Sequence, residues 1–167
     1  MEFDVLQFKS HLLDLVTNRV LLCAAMAWFL AQFIKIFTSI RREPFSFRRF
    51  LVGSGGMPSS HSAVVMATCF SCGILYGFDS AWFAVSAVLA IVVMRDAAGV
   101  RREAGKQAAV INQLSAELGK RRKSTVSTTL AEVLGHTPLQ VLVGALLGVA
   151  MAFFCQSFLF DILFGTI

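Results

Sequence analysis

Charge is scarce in this sequence. Only 15% of its 167 residues are Asp, Glu, Lys or Arg, while 56% are hydrophobic, 16 of them Phe. Residues Val20 to Ile34, Ser62 to Phe78, Ala81 to Met94 and Val141 to Phe160 carry no charge at all. A soluble domain of this size has too little interior to hide that much apolar surface. Each stretch, with its flanking small residues, approaches the ~20 residues that cross a bilayer. Other features are also missing. No internal repeat is present, which removes solenoid architectures. The first 19 residues lack a basic start and a small-residue cleavage site, so a cleavable signal peptide is not expected. Cys69-Phe-Ser-Cys72 has the spacing of a redox or zinc pair, but no second ligand pair lies nearby. All four cysteines, Cys23, Cys69, Cys72 and Cys155, fall within apolar spans, and packing between membrane helices is their plainer reading.

The charge that is present sets an orientation. Residues 41–49 hold four arginines against Glu43, and residues 101–123 hold seven Lys/Arg against Glu103 and Glu117. With four spans these two segments fall on one side. The amino-terminal segment has three acids against two bases, and the link between the second and third spans has only Asp79. The positive-inside rule then predicts basic loops in the cytoplasm and both termini outside. The formal net charge of +5 follows from this topology, and nucleic-acid binding is not needed to explain it.

The expected fold is an all-α integral membrane bundle in one domain, 1–167. It has about four membrane helices plus short interfacial or cytoplasmic ones. An amphipathic lead-in covers 1–19. Membrane helices cover 20–40, 59–78, 81–100 and 138–164, and a basic cytoplasmic segment covers 101–135. Tyr76-Gly-Phe-Asp-Ser80 reads as a tight turn, making the second and third spans an antiparallel hairpin. Residues 103–118 carry Val110, Leu114 and Leu118 at helical spacing, and Gly119-Lys-Arg-Arg-Lys-Ser124 is expected to break that helix and to meet anionic headgroups. Val126 to Leu134 reads as another short helix.

Polar residues converge where two of the spans begin. Gly53-Ser-Gly-Gly-Met-Pro-Ser-Ser-His-Ser62 is a glycine-rich turn that feeds a helix start, with Pro58, four hydroxyls and His61. Thr137-Pro138 reads as an N-cap followed by proline at the first helical position, and His136 precedes it. Helix N-termini have unpaired N–H groups and a positive dipole end, which suit anions. Lys35 lies six residues before Arg41, about 9 Å inside the first span's cytoplasmic end. Arg95 and Asp96 lie at comparable depth in the third. Charges at that depth face a polar cavity or a partner. For Lys35, snorkelling to the headgroups is the competing reading.

These residues resemble a known family. Pro58-Ser-Ser-His61 is similar to the Pro-Ser-Gly-His motif of the phosphatidic acid phosphatase type 2 and vanadium haloperoxidase superfamily. Lys35-x6-Arg42 matches its first motif, and Gly135-His-Thr-Pro138 opens a glycine-bearing helix like its third. Gly-Gly-Met-Pro-Ser-Ser-His-Ser, Arg-Asp-Ala-Ala-Gly-Val-Arg-Arg and Gly-His-Thr-Pro resemble the small bacterial divergent branch of that superfamily. The resemblance implies His136 as nucleophile, His61 as general acid, and Lys35, Arg42, Ser59 and Ser60 as phosphate ligands, with no metal or cofactor. The superfamily's acidic partner of the nucleophile falls at Gln140, with Glu132 or Asp96 as possible substitutes. Its third-motif arginine falls at Leu130, and Arg95, Arg101 or Arg102 could supply that cation.

The expected function is hydrolysis of a lipid phosphate or diphosphate through a phosphohistidine. The expected setting is the bacterial inner membrane, with the pocket facing the cytoplasm. The expected partners are a phosphorylated lipid or other phosphate ester, and anionic lipid headgroups. Two alternatives stay open: a non-catalytic binder or carrier of phosphorylated lipid, and a membrane scaffold. Gly144 and Gly148 form a small-xxx-small face that suits packing within the bundle or between copies in a homo-oligomer.

Overall fold

The computed structural model describes residues 5–39, 56–122, 130 and 135–164, with the side chains of residues 5, 6, 39, 101, 119–122 and 164 outside that description. The described residues form helices and no strand. A short helix α1 (Val5–Val16) leads to α2 (Arg19–Ser39). Then come α3 (Ser60–Tyr76), α4 (Ala81–Ala98), α5 (Val100–Arg122) and α6 (Pro138–Phe154). A π-helical turn at Cys155–Leu159 and α7 (Phe160–Phe164) close the chain. Among the described residues, three stretches are long and apolar enough to cross a membrane: Arg19–Thr38, Ala81–Leu118 and Pro138–Leu163. The fourth apolar helix, α3, has 17 residues. At 1.5 Å per residue it runs about 26 Å, just short of the ~30 Å hydrocarbon core.

This short helix is the centre of the bundle. α3 packs against α2, α4 and α6. Its neighbours approach closely because the facing side chains are small: Ala27 and Ala31 of α2, Ala63 and Ala67 of α3, and Ala152 of α6 are all fully buried. Large apolar side chains such as Phe29, Phe33, Trp82, Val85 and Leu142 point outward. That inversion is the membrane pattern, since lipid solvates large side chains and close packing joins the helices. The protein is an all-α membrane helical bundle.

Local sequence explains the boundaries. The Asn18 side chain accepts from the backbone N–H groups of Val20 and Leu21, both at 3.0 Å, and so starts α2. Gly77 ends α3 at φ +94° and Ser80 caps α4, which builds the tight turn read from Tyr76 to Ser80. Gly144 and Gly148 serve the α3–α6 contact inside the bundle. A Cβ at either would run into backbone of α3 or its cap, the Ser59 carbonyl or the Ala63 carbonyl. One expectation is corrected. α5 does not stop at Leu118 but continues through Gly119 to Arg122, because a single glycine costs only about 1 kcal/mol and the flanking residues are good helix formers. The helix expected over 126–134 lies outside the described residues, Leu130 excepted.

Candidate functional site

Two helix mouths meet at one end of the bundle. Ser59 caps α3, its Oγ accepting from the Ser62 N–H at 3.4 Å and from the Ser62 hydroxyl at 3.1 Å. Thr137 caps α6 in a full capping box. Its Oγ1 accepts from the Gln140 N–H at 3.3 Å, and Gln140 Oε1 accepts from the Thr137 N–H at 3.0 Å. The two caps are tied together, because the Ser59 N–H donates to the Gln140 carbonyl at 3.0 Å. Ser59 is fully buried, so this irregular backbone at the head of α3 is enclosed by protein, as membrane burial requires.

The loop before Ser59 is fastened to α2. The Thr38 hydroxyl donates to the Met57 carbonyl at 3.0 Å, and Met57–Pro58 is a cis peptide. Gly56 adopts φ +85° with the Lys35 stem beside it. Lys35 is buried, and its Nζ donates to Ser60 Oγ at 3.0 Å. Its ammonium is therefore held beside the second residue of the Ser-Ser-His run, and the snorkelling alternative is corrected. The geometry follows from register: Cys23, Ala27, Ala31 and Lys35 recur every four residues on the α2 face that meets α3.

The two histidines face each other. Their ring centroids are 5.9 Å apart at an interplanar angle of 62°. His61 comes from the first turn of α3. His136 is 4% exposed and stands just before the α6 cap. Among its contacts, its backbone N–H donates to the Ala97 carbonyl at the end of α4 at 3.0 Å, and its Nδ1 lies 3.3 Å from Gln140 Oε1. An amide oxygen only accepts, so this contact places the proton on Nδ1. In the neutral ring Nε2 then carries the lone pair.

The remaining expected residues divide. Ser59, Ser60, Lys35, His61, His136 and Gln140 are brought together. Arg95 is exposed, and Asp96 and Arg102 are half-buried. Arg42 lies outside the described residues, as do Glu132 and the side chain of Arg101. Leu130 is exposed, and its backbone is gripped from α5: Asn112 Oδ1 accepts its N–H and Asn112 Nδ2 donates to its carbonyl, each at 2.9 Å. Sequence reasoning missed this grip and the Ala97 carbonyl. A polar Asn between apolar positions of α5 was a signal for the first. The second is a backbone group and leaves no trace in the sequence.

Residues 16–151 match the family described as Divergent PAP2 family. The chain belongs to the divergent PAP2 family. The match runs from the end of α1 nearly to the end of α6 and includes both histidines. A family relative from Bacillus subtilis (strain 168), "Uncharacterized membrane protein YuiD", is 39% identical over 152 residues, covering 83% of this chain and 94% of that one. No solved structure matches the chain. Membership of this divergent PAP2 family makes the chain a phosphatase-like integral membrane protein.

Proposed function

We propose that this protein hydrolyses a phosphorylated lipid, a monophosphate or diphosphate, through a phosphohistidine on His136. The observation that carries the reading is the pair of opposed imidazoles beside a buried lysine, at the joined mouths of two helices. His136 Nε2, its Nδ1–H held by Gln140, attacks phosphorus. The bond to the leaving oxygen breaks, and His61 as imidazolium gives that oxygen its proton. The Lys35 ammonium, the Ser60 hydroxyl and the N–H groups at the start of α3 offset charge on the non-bridging oxygens. Water then attacks the phosphohistidine, with neutral His61 taking its proton, and inorganic phosphate leaves.

The charge bias of the loops supports a pocket on the cytoplasmic side of the inner membrane. The substrate is then an inner-leaflet lipid phosphate or a cytosolic phosphoester. Phosphate release from a panel of lipid phosphates by purified protein tests the reading. Wild type releases phosphate, and His136→Ala releases none above background. Equal rates for the two would remove His136 from the chemistry.

A second reading is favoured by Gln140. It is neutral, and its oxygen is shared between His136 and the Thr137 N–H. An imidazolium there has no carboxylate to stabilise it, which suits a binder or carrier of phosphorylated lipid. Under that reading saturable lipid-phosphate binding survives His136→Ala and is abolished by Arg42→Ala. A trapped phosphohistidine excludes it.

A further inference from the structure

At the opposite half of the bundle three sulfurs converge. Cys23 of α2 and Cys155 of the π-helical turn are both fully buried, and the Cys155 thiol donates to Met26 Sδ at 3.8 Å. The Cys155 and Ser71 side chains both lie against the Cys23 thiol. Cys23 is 12 residues from Lys35 along α2, so the cluster stands about 18 Å from the histidine site along that helix. It shares no residue with that site.

The backbone is shaped to aim Cys155 inward. The Phe160 N–H reaches back to the Cys155 carbonyl, an i to i+5 bond that widens the turn. As a result two adjacent residues, Cys155 and Gln156, both face the interior. π-turns of this kind cost stability and recur at functional sites. Two polar atoms there are buried and make no hydrogen bond of proper geometry among the described residues: Ser71 Oγ and Gln156 Oε1. Gln156 Nε2 donates to the Arg19 carbonyl at 3.4 Å, which puts the cluster one turn inside the Arg19 end of α2.

We propose that Cys23, Met26 and Cys155 form a binding site for a soft monovalent cation, copper(I) in particular. Among the described residues no three His, Cys, Asp or Glu side chains gather into a metal site, and here the third ligand is a thioether. Thiolate and thioether suit copper(I); three sulfurs fall one short of the four ligands of a structural zinc site, and calcium and magnesium take oxygen ligands. Three sulfurs around one ion at about 2.3 Å each stand roughly 4 Å apart, close to the Cys155–Met26 spacing. Charge favours the same ion. Binding of Cu⁺ releases one proton from the two thiols, and the single thiolate neutralises the ion. The metal stays copper(I) throughout, so no electron is transferred, and an apolar interior accepts the neutral product. Ser71 Oγ lies beside it as an oxygen acceptor for the thiol that keeps its proton.

The test uses the full chain in nanodiscs, loaded anaerobically with copper(I) against the chelator bicinchoninate. The expected result is one copper retained per chain, with an all-sulfur shell by X-ray absorption. Met26→Leu conserves volume and lowers copper affinity by about tenfold or more, the loss of one ligand. Cys155→Ser releases the copper, while the Cys69→Ser/Cys72→Ser double variant retains it. Loss of all copper to the chelator by the wild type overturns the proposal. So does retention that follows Cys69 and Cys72 instead, or that is indifferent to Met26.

Discussion

Gln140 does three jobs with one residue. Its carbonyl receives Ser59, its amide oxygen completes the α6 capping box, and the same oxygen orients His136. Gln140→Ala removes two of them. The expected stability loss is about 1 kcal/mol from the cap, read from the midpoint of thermal unfolding in detergent. Turnover should fall further than stability accounts for, because the imidazole loses the contact that fixes its tautomer, a role worth ~10⁴-fold in the serine-protease triad. Gln140→Glu retains the acceptor and adds a charge facing the imidazolium. It should raise kcat above that of Gln140→Ala, and equal values would show that His136 orientation does not depend on this side chain. Lys35→Met tests the phosphate end. A charge-assisted bond is worth about 1.5–3 kcal/mol, so lipid-phosphate affinity should drop roughly 10- to 100-fold. An unchanged affinity in equilibrium binding would free Lys35 of any phosphate role.

At the scale of elements, the site depends on how closely α3 and α6 approach. Gly144 sits under the Ser59 carbonyl and Gly148 under that of Ala63. Gly144→Ala and Gly148→Ala should each destabilise the fold by about 1–3 kcal/mol through overpacking, seen as a lower unfolding midpoint. They should differ in activity. Gly144 lies against the α3 cap, so its variant displaces Ser59 and the His61 turn, whereas Gly148 is a turn deeper. Equal activity losses would mean that general loosening, and not cap displacement, is what the site feels. Much at this scale was legible in the sequence. Charge-free runs marked the spans, Gly77 and Ser80 marked the hairpin, and Pro58 and Pro138 marked the helix mouths. Both mouths were expected at one face, but the contact that joins them was not legible. It rests on the Ser59–Gln140 backbone bond, the Ala97 carbonyl and the Asn112 grip on Leu130. These are long-range contacts that depend on tertiary placement, and backbone acceptors carry no residue signature. The Cys23–Cys155 pairing was hidden for the same reason, since the two lie at opposite ends of the chain.

For the whole molecule, small residues inside and large ones outside make a bundle that only a bilayer solvates. Its short central helix α3 starts within protein, not at a free surface. The basic segments predict which way it faces. A cysteine introduced at Asp79 should be labelled by a membrane-impermeant thiol reagent added outside intact cells, and one introduced at Glu103 only after lysis. The four native cysteines are buried and give a low background. The reverse pattern would put the histidine pocket on the outer side. On the proposed reading, the opposed imidazoles at two joined helix mouths would make His136 a phosphoryl acceptor. The most direct measurement is acid-quench trapping during turnover of a lipid substrate labelled at phosphorus, followed by peptide mapping. The account predicts label on His136, absent in His136→Ala, and accumulating when a His61 variant slows its hydrolysis. Turnover with no label on His136 in either protein would contradict it.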